Sequence, residues 1–126
     1  MILLLTLWAC AGGAVVNNGD PYVQILTPTE GETVCGDPLL VEVEVANLTL
    51  VPPVEDPEQA EAGTGHVDIM LNGQDADMVW ETTAEIEGVE DGEYQLKVEL
   101  SYADHTPVEP YAGDLIYITA SEEVCP

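Results

Sequence analysis

The sequence predicts an all-β protein, an antiparallel β-sandwich of about seven strands. Apolar residues alternate with polar residues along several segments, which is the pattern of strands that bury one face. Turn-forming Asn, Asp, Gly and Pro residues separate these segments, and no segment has a sustained helical period. The length of 126 residues suits a single domain with one core.

The predicted strands follow this alternation in chain order. In the stretch VEVEV, Val41, Val43 and Val45 face one side, whereas Glu42 and Glu44 face the other. Later runs repeat the pattern, and the last run is apolar on both faces. The seven predicted strands are A (22–27), B (38–48), C (66–72), D (77–80), E (82–87), F (93–102) and G (114–120).

Turn residues separate the predicted strands. Asn72-Gly73 between two apolar runs is a strong signal for a β-hairpin, and Asp91-Gly92 marks the turn before strand F. The segment from Leu48 to Gly65 carries several prolines and acids and is too long for a hairpin loop. We expect it to be a mobile excursion between strands B and C.

A local motif narrows the fold to the immunoglobulin-like class. In the stretch VEDGEY, Tyr94 follows a turn and starts a strand, which resembles the tyrosine corner of immunoglobulin-like domains. A plain hairpin followed by a buried tyrosine is the alternative. Trp80 is predicted to lie in the core, because aromatic residues near strands usually bury their large surface.

The charge balance limits the classes of partner. The chain has 25 acidic residues, Lys97 as its single basic residue apart from two histidines, and a formal net charge of −24. Phosphate backbones and anionic lipid headgroups are therefore repelled, which excludes nucleic acid as a partner. A hydrophobic content of 46% indicates a folded acidic protein rather than a disordered one.

The first residues predict export from the cytoplasm. Residues 2–8 are apolar apart from Thr6, but the run is shorter than the roughly 20 residues of a membrane-spanning helix. Leu7 to Cys10 resembles the lipobox of bacterial lipoproteins, which implies a signal peptide at 1–9, lipid on Cys10, a tether at 10–20 and a domain at 21–126. The expected location is the cell envelope, in the outer membrane or facing the periplasm or exterior. An ordinary cleaved signal peptide is the alternative.

The remaining cysteines, Cys35 and Cys125, are an even pair in an oxidising compartment and predict one disulfide. Cys35 falls in the turn between strands A and B, and Cys125 follows strand G, which ends beside that turn. A metal site formed by the two thiolates is the alternative, although no C-x-x-C spacing supports it.

The two histidines form the candidate metal site. His66 starts strand C and His105 lies in the F–G loop, at the same end of a sandwich of this order. Asp68 shares the side of strand C that His66 faces, and Asp104 precedes His105. Imidazole and carboxylate ligands suit copper or zinc, so His66, Asp68 and His105 are the candidate ligands. The alternative is a structural role, with each histidine hydrogen-bonded to a loop backbone.

These motifs carry a family resemblance. The stretch GTGHVDIML, the later GEYQL and the loop ADHTP are similar, in this order, to secreted bacterial immunoglobulin-like domains of unassigned function. The signature of that family is a Gly-His start of a strand and a later Asp-His loop. Both histidines of this chain, His66 and His105, fall at these motif positions, and Asp68 stands where the family often has another histidine.

No catalytic motif stands out. Ser101 lies four residues before His105, and this spacing alone is a weak signal for a hydrolase, which would need a concave pocket around Ser101. The sequence predicts a lipid-anchored, extracytoplasmic immunoglobulin-like module that is structural or binds a protein partner at the cell envelope, and is not an enzyme. The alternative function is transition-metal binding by His66, Asp68 and His105.

Overall fold

The computed structural model describes residues 19–126, which fold into nine β-strands and two short 3-10 helices. The helices span Pro57–Gln59 and Glu122–Val124. The strands are β1 (Tyr22–Thr27), β2 (Thr33–Val34), β3 (Leu39–Ala46), β4 (Thr49–Leu50), β5 (Thr64–Leu71), β6 (Gln74–Val79), β7 (Thr83–Ile86), β8 (Gly92–Tyr102) and β9 (Gly113–Ala120).

The strands form two sheets. The smaller sheet has the order β1-β3-β7. The larger sheet has the order β2-β9-β8-β5-β4, and β6 also pairs with β5. All pairs are antiparallel except the two short ones, β2 with β9 and β4 with β5. The predicted all-β, immunoglobulin-like sandwich is therefore confirmed, and the two strands that the alternation did not predict are each two residues long.

The core lies between the two sheets and is built by the predicted alternation. In β3, Leu39, Val41 and Val43 are buried while the residues between them are exposed. Residues at every second position of the larger sheet complete the core from the other side. These are mainly Val67 and Ile69 of β5, Leu96, Val98 and Leu100 of β8, and Ile118 of β9.

The predicted hairpin and tyrosine corner are both present. Asn72 and Gly73, with φ of 53° and 82°, connect β5 to β6, so the predicted strand D begins earlier and lies in the larger sheet. The Asn72 Oδ1 accepts a hydrogen bond of 2.8 Å from the backbone N–H of Gln95. The hydroxyl of Tyr94 donates a hydrogen bond of 2.8 Å to the backbone oxygen of Glu90, which closes the corner at the start of β8.

The predicted disulfide joins Cys35 and Cys125, whose Cα atoms are 4.7 Å apart. The short strand β2 explains the pairing, because it runs parallel to β9 with Val34 opposite Ala120. The backbone N–H of Ser121 also donates to the oxygen of Val34. The chain therefore places the two cysteines side by side at one end of the larger sheet.

Two expectations need correction. The segment from Leu48 to Gly65 contains β4 and a 3-10 helix, so it has regular structure that its prolines did not suggest. The backbone N–H groups at 49 and 51 hydrogen-bond to the oxygens of Gly63 and Gly65, which holds the segment against β5. Trp80 is 42% exposed instead of buried, because it lies where the chain leaves the larger sheet after β6 and crosses to β7.

The predicted signal peptide at 1–9, the lipid site at Cys10 and most of the tether at 10–20 lie outside the described residues. Within residues 19–126, no helix is long and apolar enough to span a bilayer.

Candidate functional site

The predicted histidine site lies on the outer face of the larger sheet, at the end where β5 begins. The side chains of His66 and Asp68 project from β5 opposite the core residues Val67 and Ile69. In the register of β5 with β8, His66 lies opposite Ser101 and Asp68 lies opposite Glu99. The alternation of strand C therefore assigned these two side chains to the correct face.

The glycines of GTGH shape the backbone at this position. A Cβ on Gly65 would collide with the backbone oxygen of Ser101 and approach Leu48 to 3.0 Å. Gly65 therefore allows β8 to pass close to β5 next to His66. Gly63 has φ of 79° and makes the turn that precedes the strand.

The loop between β8 and β9 brings the second histidine over the first. The backbone N–H of Tyr102 donates to the oxygen of Thr106, and that of His105 donates to the oxygen of Tyr102, both at 2.8 Å. The Oδ1 of Asp104 accepts from the backbone N–H and hydroxyl of Thr106 at 3.0 and 2.6 Å. His105 takes a left-handed φ of 72°, a conformation that histidine adopts more often than most residues.

The two imidazoles meet as predicted. Their ring centres are 5.2 Å apart, and the ring planes are tilted by 58°. His66 is fully buried although it faces outward, whereas the His105 side chain is exposed. The Asp104 carboxylate is not directed at the two imidazoles, because it accepts hydrogen bonds from Thr106 within the loop.

The side chain of His66 is buried but forms no hydrogen bond with the described part of the chain. Among residues 19–126, neither its Nδ1 nor its Nε2 has a hydrogen-bond partner. The Nε2 atom is 3.4 Å from Oδ1 of Asp68, which is an ion-pair contact and too long for a good hydrogen bond. Buried polar side chains almost always have a partner, so these two nitrogens are an exception that calls for an explanation.

Asp68 connects His66 to a residue that the sequence did not assign to this site. Its Oδ2 accepts a hydrogen bond of 2.6 Å from the hydroxyl of Ser101, which is itself buried. Burial raises the pKa of Asp68, but the contacts with His66 and Ser101 and the nearby His105 together hold the pKa below its ordinary value. The carboxylate is therefore favoured in its charged form.

The structure brings His66, Asp68 and His105 together but does not place them as a finished metal centre. Within residues 19–126, no group of three or more His, Cys, Asp or Glu side chains has the geometry to hold a metal ion. The hydroxyl of Ser101 donates to Asp68. It therefore has a different neighbour from the histidine base that a hydrolase would need.

A second surface lies further along the same outer face. We call Lys97, Tyr111, Leu115 and Tyr117 the tyrosine face. Tyr111, Leu115 and Tyr117 are 58%, 39% and 54% exposed, although they are large and mostly apolar. The Lys97 Nζ lies 5.9 Å from the centre of the Tyr111 ring, and Leu115 pairs with Lys97 in the sheet. An aromatic and aliphatic surface thus surrounds the chain's single lysine.

Electrostatics on this surface centre on Lys97. The Tyr111 hydroxyl donates a hydrogen bond of 3.0 Å to Glu99, and Glu99 also lies 3.6 Å from the Lys97 ammonium. Tyr111 and then Glu99 raise the pKa of Lys97. The sequence pattern does not reveal this surface, because Tyr111 belongs to the loop before β9 and only the folded chain places it over β8.

The outer face of the smaller sheet is different in character. Along β3 and β7 the exposed outward positions include Glu42, Glu44 and Glu85, with Leu40 as an exposed apolar residue among them. This face is dominated by carboxylates.

Comparisons with known proteins give the fold class. No family model and no curated protein matches the chain. Its structure is similar to the fibronectin(III)-like modules of Clostridium thermocellum CbhA, with a TM-score of 0.55 and 16% identity over 79% of this chain and 96% of that chain. A human PKD domain matches with a TM-score of 0.43 and 15% identity, over 80% of each chain. On the evidence of its two sheets and the first of these neighbours, the chain has an immunoglobulin-like β-sandwich fold similar to that of fibronectin(III)-like modules.

Proposed function

We propose that this chain is a lipid-anchored module of the bacterial cell envelope that binds a protein partner and has no enzymatic role. The observation that carries the proposal is the tyrosine face. Exposed aromatic side chains are enriched at protein interfaces, where they supply a large contact area at low entropic cost. Here Tyr111 and Tyr117 lie on the outer face of the larger sheet, whose inner face packs in the core.

Charge indicates what kind of partner fits. The chain has a formal net charge of −24, and Lys97, in the middle of the tyrosine face, is its single lysine or arginine. Like-charge juxtaposition disfavours wrong partners, and complementary charge speeds association. The partner is therefore a protein with an apolar centre and a basic rim. A second copy of this chain is disfavoured, since two acidic surfaces would repel each other.

The extracytoplasmic location is supported by the cysteines. Disulfides persist in oxidising compartments and are rare in the cytoplasm, and Cys35 is bonded to Cys125. This pairing leaves Cys10 as the third cysteine of the chain. Cys10 follows the apolar run and the stretch Leu7 to Ala9, which resembles a lipobox. Lipidation of Cys10 would tether the sandwich to a membrane of the envelope.

A matched pair of variants tests the binding face. Tyr117→Glu places a charge on the tyrosine face, and Leu40→Glu places one on the opposite sheet at a residue with the same 54% exposure. A photo-crosslinking group at position 115, used in living cells, identifies the partner. We expect Tyr117→Glu to abolish the crosslink, Leu40→Glu to preserve it, and the captured protein to be basic and to dissociate at high salt.

Two results would contradict this assignment. Equal crosslinking by both glutamate variants would show that the tyrosine face is not the binding surface. A crosslink to a second copy of the chain, with a dimer in sedimentation that Tyr117→Glu dissolves, would replace the basic partner by self-association.

A separate experiment tests the anchor. Cells expressing the full chain are grown with radiolabelled palmitate, and the protein is then recovered. Label is expected in the wild type and not in Cys10→Ala, which should also leave the membrane fraction. Cys35→Ala is the control, because it also removes a cysteine but leaves the lipobox intact, and label is compared per amount of protein recovered because this variant also loses the disulfide. An unlabelled wild-type protein recovered from the cell exterior would instead indicate an ordinary cleaved signal peptide.

A further inference from the structure

We propose that His66, Asp68 and His105 form a binding site for a divalent copper or zinc ion at the end of the larger sheet where β5 begins. This inference is independent of the tyrosine face and of the lipid anchor. Its first support is His66, which is fully buried and, within the described residues 19–126, has no hydrogen bond at either ring nitrogen. A buried imidazole without a hydrogen bond is costly, and a metal ion bound to Nε2 would satisfy the nitrogen that faces Asp68.

The distance between His66 and Asp68 suits a shared ion, and His105 is the neighbouring imidazole. The His66 and His105 ring centres are 5.2 Å apart, so the two rings lie side by side before any side chain moves. A nitrogen and an oxygen bound to one tetrahedral ion at about 2.0 Å each are about 3.4 Å apart. The Nε2 of His66 and the Oδ1 of Asp68 are 3.4 Å apart.

The surroundings of Asp68 fit the role of a ligand. Its Oδ2 is held by the hydroxyl of Ser101, which leaves Oδ1 on the side of His66. Metal-binding carboxylates are commonly fixed by such a hydrogen bond from a neighbouring group. Ser101 is therefore a positioning residue, because it orients the carboxylate without touching the ion.

Completing the site requires one movement. Within residues 19–126 no three such side chains stand in metal-binding geometry as they are placed. His66 is enclosed and Asp68 is held by Ser101, whereas His105 has an exposed side chain. Rotation of the His105 side chain onto the ion supplies the third ligand, and solvent supplies the fourth.

The ligand types select the metal. Two imidazoles and one carboxylate suit copper or zinc better than calcium or magnesium, which prefer oxygen ligands alone. The acidic surface also concentrates cations near the protein, so weak binding to carboxylates elsewhere is expected as a background. The experiment must therefore detect nitrogen ligation and not merely bound metal.

The wild-type protein gives the first test. The full chain, freed of metal with EDTA and dialysed, is titrated with Zn²⁺ while the ring resonances of its two histidines are followed by NMR. Both resonances are expected to shift and to saturate together near one equivalent. Electron paramagnetic resonance with Cu²⁺ should then show hyperfine coupling to two nitrogens. If neither histidine resonance moves at two equivalents of Zn²⁺, the proposal is wrong.

Variants assign the ligands. His105→Asn is expected to keep the fold, since asparagine tolerates a positive φ, and to lower affinity at least tenfold with one nitrogen coupling lost. His66→Phe fills the same buried space without nitrogen ligands and should lose the other nitrogen coupling, that of His66. Asp75→Asn, which removes an exposed carboxylate from β6, is the control and should bind as the wild type does. Identical copper spectra for the wild type and His105→Asn would overturn the proposal.

Discussion

At the scale of single residues, the environment of Asp68 changes what an ordinary surface carboxylate does. In a strand with one solvated face, Asp68 would simply contact water. Here it accepts from Ser101 and lies 3.4 Å from a buried imidazole. Its pKa is lowered because these contacts outweigh the effect of burial, which acts in the opposite direction. A lowered pKa makes the stability of the fold depend on pH.

The sign of this dependence follows from the direction of the shift. The pKa of Asp68 in the folded protein lies below its unfolded value of 3.8, so the unfolded chain binds more protons. The stabilisation from Asp68 is complete above that value and is lost as the pH falls through the folded pKa. The free energy of unfolding of the metal-free wild type and of Asp68→Asn is measured in urea from about pH 6 to about pH 3. We expect the difference between the two proteins to shrink as the pH falls. A constant difference would contradict the assigned contacts.

Gly65 is a second residue whose role is set by its neighbours. Gly65→Ala places a methyl group against the backbone oxygen of Ser101, which cannot move without disturbing β8. We expect a loss of about 3 kcal/mol in the free energy of unfolding, measured in urea, together with a shifted His66 ring resonance. Gly63→Ala is the comparison, because its Cβ meets nothing within 4 Å and its cost of about 1 kcal/mol comes from its positive φ. Equal losses would argue against the close approach of β5 and β8.

At the scale of elements, short contacts at strand ends determine how the strands are placed. The corner at Tyr94 fixes the start of β8 to the preceding turn through Glu90. The two-residue strands β2 and β4 likewise attach neighbouring segments to the larger sheet, by pairing with β9 and β5. The alternating pattern cannot reveal such strands, because two residues do not define a period.

Tyr94→Phe isolates the contribution of the corner. It removes the hydroxyl that donates to Glu90 but keeps the ring, so we expect the free energy of unfolding to fall by about 1 kcal/mol. The control is Tyr22→Phe, since the Tyr22 hydroxyl donates to the nearby exposed Gln24 and its loss should change stability by less than about 0.5 kcal/mol. Chemical denaturation of both variants measures the difference. If the two losses are equal, the corner is not a specific support of the fold.

At the scale of the whole molecule, the disulfide links the turn after β1 to the segment after β9. The bond joins residues 90 positions apart and therefore constrains most of the unfolded chain. The disulfide also opposes the loss of stability that charge repulsion causes in a protein with a formal net charge of −24.

Removing this link should be costly. Cys35→Ser is expected to lower the free energy of unfolding by on the order of 4 kcal/mol, because closing so long a loop removes much entropy from the unfolded chain. Thermal unfolding with and without a reducing agent provides the measurement, and the reductant should destabilise the wild type but not the variant. The matched control, Cys10→Ser, should unfold as the wild type does. Equal stability of Cys35→Ser and the wild type would mean that the bridge does not support the fold.

The sequence alone determined which side of each strand a residue faces. A strand alternates its side chains strictly, so the spacing of valines in β3 and of His66 and Asp68 in β5 was sufficient to assign their faces. The position of the cysteines relative to the outer strands was likewise sufficient to predict their pairing.

How residues from different elements combine depends on the assembled fold. The loop that carries His105 brings its ring next to His66, the register of β5 against β8 brings Ser101 to Asp68, and the path before β9 lays Tyr111 over Lys97. Register and loop paths depend on contacts along the whole chain, whereas alternation is a property of each strand by itself. The local sequence pattern therefore shows which face of its strand each side chain occupies. The assembled sheets determine which side chains from other elements lie next to it.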